Sequence, residues 1–183
     1  MSVPFPLRVP PTDYEQLPEN AKAAHDAHAR IARVTNMKRT LLHSVPAFDA
    51  LMTWYALRDT VQPFLGERLT AIFAHAVSTE TDCLICSTFF RRLLVQSGEN
   101  PEHLRLDPWE SAVVAFGRSL ASTPHAVPDD TYSAVASRLS HQQIVALTAF
   151  GALMVATNVF NNALGVPLDE YLEPFRRAEV RHG

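Results

Sequence analysis

The sequence predicts an all-α protein. Apolar residues recur three and four positions apart through most of the chain, and helix-start and helix-stop signals bracket those runs. No alternating strand pattern of useful length and no Asn-Gly or Asp-Gly hairpin signal accompanies them. These boundary signals predict about eight helices, in one helical domain over residues 17–183 that follows an extended arm over residues 1–16.

Pro4, Pro6, Pro10 and Pro11 keep the arm extended, and it is expected to lie on a neighbouring molecule or to stay mobile. Residues 17–34 are alanine-rich and carry Pro18 near the first turn, where its missing N–H costs little, so they read as a helix. A short helix follows over 36–45. From Pro46 a further helix repeats Phe48, Leu51, Met52, Tyr55 and Leu57 near helical spacing, and Pro63 is expected to end it.

Residues 66–78 place Leu69, Ile72, Phe73, Ala76 and Val77 on one helical face before a polar Ser-Thr-Glu-Thr-Asp turn, after which the two cysteines open the next helix. Residues 97–103 form a loop. Asp107, Pro108 and Glu110 make a reciprocal capping arrangement for the following helix, and Ser140 with Gln143 repeats the device. Between them residues 127–139 form a short helix. Gly165 and Pro167 mark the end of the helix that Ser140 opens, and a last short helix covers residues 168–179.

With 183 residues, 47% of them hydrophobic, the chain can build a substantial core. Sixteen basic and nineteen acidic residues give a net charge of −3 without a Lys/Arg-rich block, which argues against a nucleic-acid partner. The amino terminus lacks the basic start, apolar core and cleavage site of a secretory signal, so the cytoplasm is the expected address. Between Gln142 and Val166 there is no charged residue. The apolar heart of that segment, Ile144 to Phe160, is short for a bilayer span of about 20 residues, and Thr148, Thr157, Asn158, Asn161 and Asn162 interrupt or follow it. It reads as a helix buried on nearly every side, not as a membrane partner. So small a monomer has trouble surrounding such a helix, so a homo-oligomer is expected.

Both cysteines of the chain, Cys83 and Cys86, stand in one C-x-x-C. In a reducing compartment such a pair points to redox chemistry or metal binding in preference to a structural staple. If the turn at 79–82 caps the helix, Cys83 falls in its first turn, where unpaired N–H groups and the helix dipole favour a thiolate. Cys86, three positions on, shares its face and can close a small disulfide. Leu84, Ile85, Phe89 and Phe90 surround the pair with apolar groups, which raise a thiol pKa, so a nearby base is wanted. In a helical hairpin centred near Thr79 and Glu80, His75 falls opposite Leu84 and is the expected base, with Glu80 as a more exposed acid at the rim.

The residue order in 36–55, 69–90 and 139–174 resembles the carboxymuconolactone decarboxylase superfamily, specifically its alkylhydroperoxidase-D-like branch, over roughly residues 36 to 174. That resemblance implies the helical fold of the branch and a thiol peroxidase. Members typically carry a glutamate twelve residues before the first cysteine and a histidine four after the second. It implies that Cys86 attacks peroxide, that Cys83 closes the disulfide, and that an external thiol supplies electrons. Both proton-relay positions depart from the pattern, being Ala71 and Phe90 here. Losing general acid–base help commonly costs about two to four orders of magnitude in rate. His75, four residues after Ala71 on the same helical face, is the expected substitute.

No cofactor and no metal is expected. Cys83, Cys86 and His75 would supply three zinc ligands where a structural site takes four, and His25 with His28 has no local third ligand and reads as a solvated helix face. Trp54, Tyr55, Trp109 and Phe116 read as packing, and Asn158, Asn161 and Asn162 as groups that satisfy helix ends or an interface. The expected function is reduction of a peroxide or disulfide by a C-x-x-C dithiol. The alternative is a catalytically degenerate member that binds a ligand or partner; lactone decarboxylation, the superfamily's other activity, gives no reason for a C-x-x-C.

Overall fold

The computed structural model describes residues 5–177 and is all-helical, with nine α-helices and no strand among the described residues. The helices are α1 (Glu19–Ala29), α2 (Asn36–Leu41), α3 (Val45–Met52), α4 (Trp54–Leu65), α5 (Glu67–Glu80), α6 (Leu84–Gln96), α7 (Pro108–Ala121), α8 (Asp129–Ala136) and α9 (His141–Leu164). Short 3-10 turns occupy Tyr14–Gln16 and Glu170–Phe175. Arm residues 1–4 and residues 178–183, which include the end of the expected last helix, lie outside the described residues.

α5 is the central element, packed against α4, α6, α7 and α9. Its apolar face buries Leu69, Ile72, Phe73, Ala76 and Val77, the residues whose helical spacing predicts it, and Phe73 stacks on Phe150 of α9 with centroids 5.9 Å apart. A smaller cluster of Leu17, Ala21, Leu41, Leu42 and Phe48 ties α1, α2 and α3 together. The capping boxes Asp107/Glu110 and Ser140/Gln143 both form.

Four expectations change. The helix expected from Pro46 is two helices broken at Thr53, whose hydroxyl donates to the Ala50 carbonyl at 2.6 Å and competes with the helical ladder. Pro63 does not end α4. It sits in the last turn, where its ring costs the helix only the bond to the Asp59 carbonyl, and Gly66 ends the helix at φ +80°. The arm lies on its own chain: the Arg8 N–H donates to the Leu164 carbonyl at 2.9 Å, and the Thr12 hydroxyl to the Arg39 carbonyl at 2.7 Å. Finally α9, long and apolar enough to cross a membrane, buries one face against α4, α5, α7 and α8 and leaves the other open, with Val145 68% and Val159 57% exposed.

Candidate active site

The connection between α5 and α6 positions the cysteines. α5 ends in a Schellman motif: the Cys83 N–H donates to the Ser78 carbonyl at 3.0 Å and the Asp82 N–H to the Thr79 carbonyl at 3.1 Å, with Asp82 left-handed at φ +51°. Cys83 is at the same time the N-cap of α6 and has extended backbone. It therefore stands one position earlier than the first turn, and Cys86 is the third residue of the helix. Both are free thiols, buried on one side of α6.

Across from them stands α9. Asn161, 2% exposed, directs its amide nitrogen at both sulfurs, 3.3 Å from Cys86 Sγ and 3.7 Å from Cys83 Sγ, and at Met37 Sδ at 3.6 Å. Asn158 Nδ2 donates to Thr81 Oγ1 at 2.7 Å, and Asn162 Nδ2 to the Thr81 carbonyl at 3.0 Å. Two of the three asparagines thus hold the end of α5, the helix-end role expected of them, and the third contacts the thiols. The sequence reading missed that role, because only the packing of α9 across the α5–α6 corner reveals it.

The thiols divide one environment unequally. The hydrogen bond between them, with Cys86 donating, holds Cys83 below its ordinary pKa, and the backbone N–H groups of Ile85 and Cys86 and the amide of Asn161 act in the same direction against burial. Cys86 is pushed well above its ordinary value by the same bond and by burial. The favoured thiolate is therefore on Cys83, whereas Cys86 is the sulfur that a small molecule meets.

Cys86 lines a cavity of about 100 Å³. Ile85, Phe89, Phe90, Trp54, Met52 and Met154 form its apolar wall. Phe90, at the position where the resemblance places a histidine, packs against Trp54 with centroids 6.2 Å apart. Lys38 of α2, Tyr55 of α4, and Asp169 and Tyr171 near the C-terminal 3-10 turn also line the cavity, whose surface is mostly apolar. Lys38 is 6% exposed; its ammonium donates to the Arg33 carbonyl at 2.6 Å and to the Tyr55 hydroxyl at 3.0 Å. Burial lowers its pKa to about 8 despite the opposing pull of Asp169. Asp169 Oδ1 accepts from the Asn36 N–H at 2.9 Å, while its buried Oδ2 has no partner.

His75 is not part of this arrangement. Its ring does not line the cavity and bonds to neither sulfur. Burial takes its pKa down to about 4, and the charges acting on it are those of Arg91, Glu102, Arg118 and Arg177. The hairpin turns later than Thr79–Glu80, at Thr81–Cys83, which shifts the facing positions; Leu84, the expected neighbour, is 41% exposed. Glu80 accepts a hydrogen bond from the Ser122 hydroxyl at 2.9 Å, joining the ends of α5 and α7. His28 is also repositioned, being 5% exposed and packed edge-on to Phe48 instead of solvated. Trp54 and Tyr55 are cavity walls as well as packing. Among the described residues no group of three or more His, Cys, Asp or Glu side chains is placed to hold a metal ion.

The fold is the alkylhydroperoxidase AhpD-like fold. The structure is similar to that of an uncharacterized peroxidase-related protein from Silicibacter sp. TM1040, with a TM-score of 0.73 and 17% identity over 94% of this chain and 96% of that one. It is also similar to the alkylhydroperoxidase AhpD core of an uncharacterized peroxidase-related protein from Ralstonia eutropha JMP134, with a TM-score of 0.65 and 18% identity over 90% of this chain and 93% of that one. No protein-family model and no curated protein matches the sequence.

Proposed function

We propose that the protein is a thiol-dependent oxidoreductase that reduces a peroxide or a disulfide through Cys86 and Cys83. The observation that carries this reading is the placement of Cys86 on a cavity wall while a second buried thiol, Cys83, shares the Asn161 amide with it away from the cavity. Cys86 is the attacking sulfur in this reading because it alone of the two faces the cavity. Cys83 takes up the Cys86 proton across their hydrogen bond, generating the nucleophile, and later resolves the oxidised Cys86 as a disulfide with loss of water. The AhpD-like fold of two peroxidase-related structures supports the class of chemistry. An external thiol donor in a reducing cytoplasm completes the cycle, and the protein works as a homo-oligomer.

The test is a count of free thiols in reduced protein before and after mild peroxide treatment, in wild type and in Cys86→Ser. Two thiols lost together in the wild type, with no disulfide formed in the variant, is the expected outcome. Thiols that survive treatment unchanged favour a second reading, a ligand-binding module that has lost turnover. The apolar residues Ala71 and Phe90 at the two relay positions motivate that alternative.

A further inference from the structure

Three sulfurs converge on one buried amide. Asn161 Nδ2 lies 3.3 Å from Cys86 Sγ, 3.7 Å from Cys83 Sγ and 3.6 Å from Met37 Sδ. Two thiols and a thioether, brought in by α6, its N-cap and α2, are thus gathered about a single point although Met37 lies far from the cysteines along the chain. Asn161 is 2% exposed, and its own carbonyl oxygen, Oδ1, has no partner. Met37 and Cys86 also line the cavity, and so do Met52 and Met154, so every methionine beyond Met1 borders the same space as the Cys86 thiol. Packing alone asks only for apolar volume, which leucine fills with better-defined rotamers; it does not ask that sulfur atoms meet.

We propose that Cys83, Cys86 and Met37 form a binding site for one copper(I) ion. The site needs only two reduced thiols and the thioether, so it does not rest on the oxidoreductase reading above. The donor set decides the ion. Thiolates and thioethers are soft ligands that suit Cu(I), whose filled d shell is satisfied by three sulfurs. Zinc sites take Cys, His and carboxylate ligands, four of them in a structural site, and His75, the third ligand considered from the sequence, bonds to neither sulfur. Hard cations want oxygen ligands, which this cluster does not offer. Met37 adjusts its Sδ to the metal through three rotatable bonds.

Binding is a ligand exchange without electron transfer. Two S–H bonds break and two Cu–S bonds form, both protons pass to the buffer, Met37 adds a sulfur lone pair, and copper stays Cu(I). Cys83, held below its ordinary pKa, gives up its proton first. The Asn161 amide goes on donating to the metal-bound sulfurs, as groups behind a metal's ligands generally do. The cavity supplies the way in, because Cys86 and Met37 line it and Cys83 does not.

The test is an anaerobic titration of fully reduced protein with the Cu(I) complex of bicinchoninate, whose colour fades as copper is withdrawn. Wild type is expected to take one copper per chain and to gain a near-ultraviolet thiolate-to-copper absorption. Removing a group that merely supports a metal ligand typically costs about 10–100-fold in affinity. Met37→Leu, which loses a ligand and keeps both thiols, should therefore bind copper at least about tenfold more weakly. X-ray absorption at the copper edge of the wild-type complex should show three sulfur neighbours, and it keeps the question decidable if Met37→Leu does not fold. Chelator that retains its copper, a copper with only two sulfur neighbours, wild-type affinity in Met37→Leu, or zinc that displaces copper at equal concentration would each overturn the site. Thiol loss to peroxide in metal-free protein tests the oxidoreductase reading separately, and either can fail without the other.

Discussion

At the scale of single residues, Asn161 is the side chain on which the chemistry of the thiols turns. Among the described residues its amide is the one side-chain donor bonded to the sulfurs from another helix, and a hydrogen bond to a charged acceptor is worth about 1.5–3 kcal/mol. Asn161→Ala is therefore expected to raise the apparent pKa of the reactive thiol by about one unit, read as a shift in the pH dependence of iodoacetamide alkylation. An unshifted profile would leave thiolate stability to the Cys86 thiol and the backbone N–H groups at the start of α6. His28 gives a different residue-scale expectation. Burial lowers its pKa from 6.5 to about 4, and its Nε2 has no partner. The unfolded chain then binds more protons than the folded one between those values. The neutral ring's contribution is complete above pH 6.5 and is lost progressively as pH falls toward about 4. His28→Gln should flatten the decline in urea-unfolding free energy between pH 7 and pH 5 by about 1–2 kcal/mol; an unchanged slope would assign the acid sensitivity elsewhere.

At the scale of elements, the site depends on how helices end. Cys83 closes the Schellman motif of α5 and caps α6, so one residue fixes both the corner and the sulfur. The same device ends α9: the Val166 N–H donates to the Asn161 carbonyl at 3.0 Å and Gly165 is left-handed at φ +61°. A Cβ at Gly165 would lie 2.0 Å from the Pro6 carbonyl oxygen, so glycine is required there both by its backbone conformation and by the arm that crosses it. Gly165→Ala should destabilise the protein by about 1–3 kcal/mol and should expose the Arg8 amide, bonded to Leu164, to hydrogen exchange. Retained protection of that amide would mean the arm is held elsewhere. Helix starts and stops were legible at this scale because caps are local chemistry, as the two capping boxes show. The break at Thr53 and the late turn at Thr81–Cys83 were not, because a hydroxyl bonding a backbone carbonyl and an aspartate in the left-handed conformation are features that periodicity does not register.

At the scale of the whole molecule, legibility falls off with separation along the chain. Cys83 and Cys86 stand three apart and announce themselves, whereas Lys38, Tyr55 and Asp169 reach the Cys86 cavity from α2, α4 and the C-terminal segment and Asn161 reaches the sulfurs from α9, and each alone reads as an ordinary surface, packing or cap residue. His75 was favoured because it was near in sequence, and folding turned it toward a different set of charges. The longest helix carries the remaining whole-molecule consequence. The open face of α9 presents Val145, Ala149, Ala152, Ala156 and Val159, spaced alternately four and three apart, which is the repeat of a coiled-coil seam. No charge interrupts α9 from Gln142 onward, and small side chains let a second helix approach closely. A two-fold axis across the middle of that stripe would pair it with its own copy, which is how most soluble oligomers close. Sedimentation at micromolar concentration is accordingly expected to give a dimer or a larger assembly. Val159→Lys, by placing a charge in the seam of each copy, should shift the protein toward monomer without removing any residue of the cavity. Wild-type protein that sediments as a monomer would refute the pairing, and so would a Val159→Lys variant that stays fully associated.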